Sequence, residues 1–276
     1  MIRRGIGVQS FVSAGVSNDA DAQAFIDAAG ITDATQQSAI NTLVTDLKTY
    51  GIWTKMKAIY PFVGGTASSH KFNLRNPADT DAAFRLVFSG GWTHSSTGAL
   101  PNGTNGYSNT FLSPSGNLTN NSTHLSFYSR TNFNANPGGD IGTSGPSPLF
   151  LPIALIYTRA QDFFQSSMYD YDSGKRVSTS NTNSTGFYVG NRTSNVVLNS
   201  WKNGVKQATN TTLETRNITT VTNPFFIGAI NLGGSAGQYA NKECAFASIG
   251  DGLTDTEAAN LYTAVQAYQT TLSRNV

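Results

Sequence analysis

Charge is scarce in this 276-residue chain: only 12% of residues are Asp, Glu, Lys or Arg, about half the usual share for a globular protein. Asn, Thr, Ser and Gly fill the gap, so the surface is hydrated by amides and hydroxyls, a composition strands and turns use more readily than helices. The net charge of +2 offers no concentrated basic face, which argues against nucleic acid as a partner. Cys244 is the only cysteine, which excludes an intrachain disulfide. No apolar run approaches the ~20 residues of a membrane span. Arg3 and Arg4 have no apolar stretch behind them, so the start does not read as a secretory signal. The Asn-x-Ser/Thr triplets at Asn117, Asn121, Asn183, Asn191, Asn210 and Asn217 are read as chance in so polar a chain.

What charge there is falls unevenly. Residues 1–17 hold Arg3 and Arg4 and no acid; residues 18–51 hold five Asp against Lys48; the remainder holds 15 basic and 11 acidic residues. These three stretches are also the expected divisions. Residues 1–17 form an arm with too few apolar residues to bury alone. Residues 18–51 form a helical hairpin: Ala22, Phe25, Ile26 and Ala29 make one stripe stopped by Gly30, and Ile40, Leu43, Val44, Leu47 and Tyr50 make a second stopped by Gly51. Residues 52–276 form a β-sandwich closed by a helix.

From Ile52 onward, short apolar alternations are punctuated by Gly, Pro and Asn every ~8–12 residues, the pattern of a sandwich or barrel. Strands are expected near 54–63, 69–75, 84–90, 107–113, 124–130, 150–158, 163–170, 185–190, 195–202, 205–212, 216–221, 224–230 and 243–249. Asn203-Gly204 supplies a two-residue type I′ hairpin turn. Segment 131–148, rich in Gly, Pro and Asn, reads as a long loop. Thr254-Asp255-Thr256-Glu257 is a capping box, opening a helix with Ala258, Leu261, Tyr262, Val265, Tyr268 and Leu272 on one face.

Four stretches carry a family resemblance: Gly186–Gly190, Val196–Val205 with its Asn-Gly turn, Phe225–Ala229, and Phe246–Glu257, where a last strand runs through Gly-Asp-Gly-Leu into the capping box. In this order they resemble concanavalin A-like, or laminin G-like, jelly-roll modules. The resemblance implies a mainly β fold, a concanavalin A-like antiparallel β-sandwich (jelly roll) with an N-terminal helical hairpin and a C-terminal helix. The layout of arm, hairpin and jelly roll is in turn similar to decoration and fibre proteins of tailed bacteriophages.

Jelly rolls of this kind include glycoside hydrolases, which makes catalysis testable from residues. Retaining hydrolysis needs two carboxyls about 5–5.5 Å apart, which one strand supplies at i and i+2 or i+4. The corresponding Glu-x-Asp-x-x-Glu motif is absent, and the chain has three Glu in all: Glu214, Glu243 and Glu257. The first two have no acid within four residues, and Glu257 serves the capping box. Asp170 and Asp172 make the one same-face acidic pair on a plausible strand; a calcium site would need further acids, so they read as a solvated strand end. His70, His94 and His124 lie far apart in sequence without a second ligand nearby. Cys244 reads as a small core residue. Trp53, Trp92 and Trp201 suit core packing, although aromatics also stack on sugars.

No catalytic, cofactor-binding or metal residue is therefore expected. The leading expectation is a non-enzymatic virion structural protein, a capsid decoration or fibre subunit, forming a homo-oligomer located in the virion. The arm would join other virion proteins, the sandwich would reach a host surface glycan, and no membrane insertion is expected. The alternatives are a secreted or surface carbohydrate-binding, lectin-like module and a divergent glycoside hydrolase.

Overall fold

The computed structural model describes residues 18–276; the arm expected at 1–17 lies outside them. Helices α1 (Ala20–Ala29) and α2 (Ala34–Thr49) come first. Asp19 caps α1 by accepting from the Asp21 N–H, and Asp33 caps α2 by accepting from Gln36. These caps satisfy donors that the first helical turn leaves unpaired. Then follow β1 (Met56–Tyr60), the one-turn α3 (Ala67–His70), β2 (Val87–Ser89), β3 (Trp92–Ser95), β4 (Gly98–Pro101), β5 (Tyr107–Asn109) and β6 (Thr123–Ser129). The middle of the chain gives β7 (Ile141–Ser144), β8 (Ile153–Ala160), β9 (Phe163–Tyr169), β10 (Val177–Ser180), β11 (Gly186–Ser194), β12 (Val197–Lys202) and β13 (Val205–Asn210). It ends with β14 (Phe226–Ile227), β15 (Ile230–Leu232), β16 (Ser235–Gly237), β17 (Cys244–Gly250) and α4 (Asp255–Thr271).

The strands make two sheets. The first runs β13-β12-β11-β6-β17-β4-β3, with β1 also on β17; the second runs β10-β9-β8-β7-β14-β5-β2, with the β15–β16 hairpin attached to β7. Every pairing is antiparallel except β15 with β7. The fold is thus mainly β, two antiparallel sheets with an N-terminal helical hairpin and a C-terminal helix, in line with the fold class read from sequence.

Period-two alternation sorts side chains between faces. In sheet one, Leu125, Phe127, Tyr188, Leu198, Ala247 and Ile249 point into the sandwich, where Ile141, Ala154, Ile156, Phe164 and Met168 of sheet two meet them. Their neighbours Tyr128, Phe187, Val189 and Phe246 point the other way, into a second core beneath α1, α2 and α4, with Leu43, Leu47, Leu261 and Val265. The opposite outer face, that of sheet two, has only a small cluster: Ile153, Leu155, Tyr157, Ala160 and Ile230.

Several expected strands are corrected. The 69–75 stretch holds the α3 turn, capped by Thr66, after which the Asn73 side chain bonds the Ile59 N–H at 2.9 Å. The 216–221 stretch is a 3₁₀ turn at Ile218–Thr220, capped by Asn217. In both, Ser/Thr/Asn side chains bond the local backbone and displace the ladder. The expected loop 131–148 contains β7, buried at every position in the centre of sheet two. Its Gly142 is there for space: a Cβ would lie 2.7 Å from the Ala154 carbonyl oxygen and from Ile230 Cδ1.

Candidate functional site

Sheet two carries a large concavity. A cleft of about 710 Å³ opens over β8, whose Ile153 and Tyr157 form the floor. Leu149–Leu151 wall one side, the Asp170–Lys175 turn another, and Arg216, Leu232 and Gln238 complete it. The volume lies in the range of small-ligand sites, which pair apolar lining with a few fixed polar groups.

The charged wall arises where β9 ends. Tyr169 adopts φ 96°, which takes Asp170 off the strand, so Asp170 and Asp172 do not share a strand face. Asp170 is not solvated either, being only 5% exposed. Its Oδ1 accepts from the Asp172 N–H at 3.0 Å and its Oδ2 from Arg216 Nε at 2.8 Å, with Lys175 Nζ at 3.3 Å. Burial pulls its pKa upward, but Arg216, the Asp172 N–H and Lys175 outweigh that and hold the carboxyl below its ordinary value. The same contact raises the Arg216 pKa. Asp172 is exposed and accepts from the Gly174 N–H at 2.8 Å. Behind them Glu214 is 2% exposed; its Oε1 accepts from the Arg216 N–H at 2.8 Å and lies 3.7 Å from Lys175 Nζ, while its buried Oε2 has no partner.

The aromatic part is equally fixed. Tyr157 and Tyr171 meet edge to face, ring centroids 6.1 Å apart. The Tyr157 hydroxyl donates to Gln238 Oε1, and burial raises its pKa. The Tyr171 hydroxyl donates to Gln165 at 2.9 Å, and Arg176 stacks over its ring at 4.4 Å. A half-exposed tyrosine, an apolar wall and oriented charged groups suit binding of a polyol with an apolar face.

Other residues weighed in sequence fall elsewhere. His70 and His94, expected apart, meet with Nδ1 atoms 2.9 Å from each other. His70 Nε2 accepts from the Gly65 N–H, so His70 carries its proton on Nδ1 and donates to His94. Burial, with His94 and Arg274 adding to it, lowers the His70 pKa to about 3. His124 donates from Nδ1 to the Asp251 carbonyl (2.7 Å), and its Nε2 accepts from Ser248, itself bonded to Ser126. That Ser-His relay is fully buried, closed to any substrate. Among the described residues no three His, Cys, Asp or Glu side chains gather as a metal site, and no helix is long and apolar enough to cross a membrane. Cys244 is buried, with its thiol pKa pushed up by burial. Trp53 and Trp201 are buried and Trp92 packs edge to face on Phe88. Glu243 pairs with Arg130, and Glu257 closes the capping box while also holding Lys55 at 2.6 Å.

Of the cleft residues only Asp170 and Asp172 are singled out by the sequence, with Glu214 behind them weighed there as an isolated acid; Tyr157, Tyr171, Lys175 and Arg216 are not. One signal was available: residues 169–176, Tyr-Asp-Tyr-Asp-Ser-Gly-Lys-Arg, concentrate charge and tyrosine in a chain poor in charge.

No family model and no curated protein matches the chain. Among solved structures it is similar to the NanB sialidase of Streptococcus pneumoniae, at 14% identity over 51% of this chain and 24% of that one, TM-score 0.42. It is similar to the Ruminococcus gnavus IT-sialidase CBM40 bound to α2,3 sialyllactose, at 13% identity over 52% of this chain and 82% of that one, TM-score 0.40. It is also similar to domain 4 of AbnA, a GH43 extracellular arabinanase from Geobacillus stearothermophilus, in complex with arabinotriose, at 15% identity over 75% and 98%, TM-score 0.44. At these scores no residue or role transfers.

Proposed function

We propose that this protein is a non-catalytic carbohydrate-binding module whose ligand lies in the cleft over β8. The observation that carries the reading is the pairing, in one open concavity, of the Tyr157–Tyr171 aromatic corner with the ion-paired wall of Asp170, Lys175 and Arg216. Sugar rings offer an apolar C–H face and a rim of hydroxyls; the first suits Tyr171 and Leu151, the second the fixed donors and acceptors. The cleft is a poor hydrolase: Asp170 is held ionised by two cations, and Glu214 is closed off behind Arg216 and Lys175, whereas glycoside cleavage needs a carboxyl kept protonated beside a second one.

Screening the chain on a glycan array, then measuring hits by calorimetry, tests this. Saturable binding that Tyr171→Ala weakens at least tenfold is expected, with no new reducing ends released on prolonged incubation. Failure to bind any glycan, or binding that Tyr171→Ala leaves untouched, overturns the assignment; turnover overturns its non-catalytic half. Of the readings open at the sequence level, the cleft favours this one. Mounting on a particle, with virion proteins as partners, hangs on residues 1–17, and nothing among the described residues bears on it.

A further inference from the structure

We infer that the ligand of this cleft carries a carboxylate, that is, an acidic sugar such as a hexuronic or nonulosonic acid. The inference rests on the reading of the cleft as a glycan site and adds the charge of its ligand. The wall is layered by sign. The two carboxylates sit inside, with Asp170 and Glu214 side chains 6% and 0% exposed, and the two cations sit outside, with Lys175 and Arg216 side chains 26% and 37% exposed. Each inner acid thus orients a cation toward the opening, and the ligand meets the cationic ends.

Arg216 is the sharper half of the device. Its Nε is pinned to Asp170 Oδ2 at 2.8 Å, and neither Nη donates to any group among the described residues. Pinning at Nε fixes the plane of the guanidinium and leaves the Nη1–Nη2 edge free. That edge matches the two oxygens of a carboxylate in a bidentate pair, geometry a neutral hydroxyl cannot use fully. Lys175 adds a second charge held by two long contacts, 3.3 Å to Asp170 and 3.7 Å to Glu214, so its N–H groups retain capacity for a ligand. Glu214 reaches only Lys175 among the two cations, through Oε1, and its buried Oε2 has no partner. The opposing group is Asp172, the remaining carboxylate on the wall. It is exposed and turned onto the Gly174 N–H, where water and salt screen it.

The test is calorimetry on the full chain with three matched ligands: oligogalacturonate and sialyl-oligosaccharide as free acids, the same chains as methyl esters, and a sulfated neutral oligosaccharide. At least one free acid should bind about tenfold or more tighter than its ester, and its affinity should fall as salt rises from low to physiological. Arg216→Gln should weaken acid binding about tenfold or more without changing ester binding, and Arg216→Lys should not restore it. Arg216→Gln leaves Asp170 paired with Lys175, and Lys175→Gln provides an independent variant should the first melt early. Equal binding of acid and ester, or acid binding indifferent to both substitutions, overturns the charge assignment while leaving the glycan site standing. Equal binding of the sulfated chain overturns carboxylate selectivity. Absence of binding by any glycan overturns both readings together.

Discussion

At the scale of single residues, the buried polar groups set how the protein answers to acid. Burial, first of all, lowers His70 to about 3 and His124 to about 4, whereas in the unfolded chain each binds a proton near 6.5. Between these values the unfolded chain holds protons that the folded chain refuses. Stability is therefore full above pH 6.5 and is lost as pH falls toward 4. At pH 5 each histidine costs about 2 kcal/mol by linkage. Denaturant titrations at pH 7 and pH 5 should differ by about 4 kcal/mol, and His124→Asn should flatten part of that slope; a pH-independent midpoint refutes the assignment. The acids with lowered pKa, Asp19, Asp79, Asp170 and Glu257, have ordinary values of 3.8 to 4.5, so their contribution is lost mainly below pH 5 and adds little to the difference between pH 7 and pH 5. A second residue-scale feature is the ion pair Lys242–Asp140, 3.1 Å apart with neither side chain exposed, Asp140 also accepting from the Thr158 N–H. Lys242→Ala strands a buried carboxylate and should cost about 3–5 kcal/mol in urea unfolding, while Lys242→Met with Asp140→Leu should cost far less. Equal losses would mean that the pair contributes packing alone.

At the scale of elements, what could be read from sequence was what neighbours in sequence decide. The Asn203-Gly204 turn joins β12 to β13 with φ 49° and 74°, because Asn and Gly tolerate left-handed backbone. The Ile249-to-Glu257 junction runs from β17 into a capped α4, and both hairpin helices stop at glycines near their stripes' ends. Of the strands of three or four residues, β2 and β5 lie within the expected stretches 84–90 and 107–113, whereas β7 was not readable. β7 has one large apolar side chain, Ile141, between Gly and Pro-rich flanks, and becomes a strand because β8, β14 and β15 enclose it. β3, β4, β10 and β16 were missed for another reason: β3–β4 and β15–β16 are hairpins between near neighbours and β10 pairs with β9 just before it, but their short runs of Gly, Ser and Thr carry little apolar alternation. The cleft was illegible for a similar reason: its wall joins residues 149–157, 170–175, 216 and 232–238, and local pattern says nothing of such meetings. The turn itself offers a check at this scale. A Cβ on Gly204 would lie 2.5 Å from Tyr262 Cδ1 of α4, in a left-handed conformation. Gly204→Ala should cost about 1–2 kcal/mol from backbone strain and more from displacing Tyr262; a melting temperature equal to wild type would sink the claim that this turn seats the helix.

At the scale of the whole molecule, the two outer faces of the sandwich have different jobs. Sheet one spends its outer face on folding: Tyr128, Phe187, Val189, Trp201 and Phe246 lie under helices and share one core with α1 and α2. Sheet two leaves its outer face partly open, and the cleft lies there between Leu149–Leu151, the Asp170–Lys175 turn, Arg216 and Leu232 of β15. The helical hairpin is therefore part of the fold's closure, since Ile40, Leu43, Val44 and Leu47 are fully buried against the sandwich and α4. Removing residues 1–51 should uncover a contiguous apolar face larger than a soluble monomer ordinarily exposes. The truncated chain should bind a hydrophobic dye, self-associate on a sizing column and melt well below the full chain, whereas removing residues 1–17 alone should leave the melting temperature unchanged. The cleft lies on the far sheet, so any glycan affinity should survive the shorter truncation and fade in the longer one only as the fold does. If the 52–276 fragment instead stays monomeric with the melting temperature of the full chain, the hairpin is an appended unit and the core beneath α4 suffices alone.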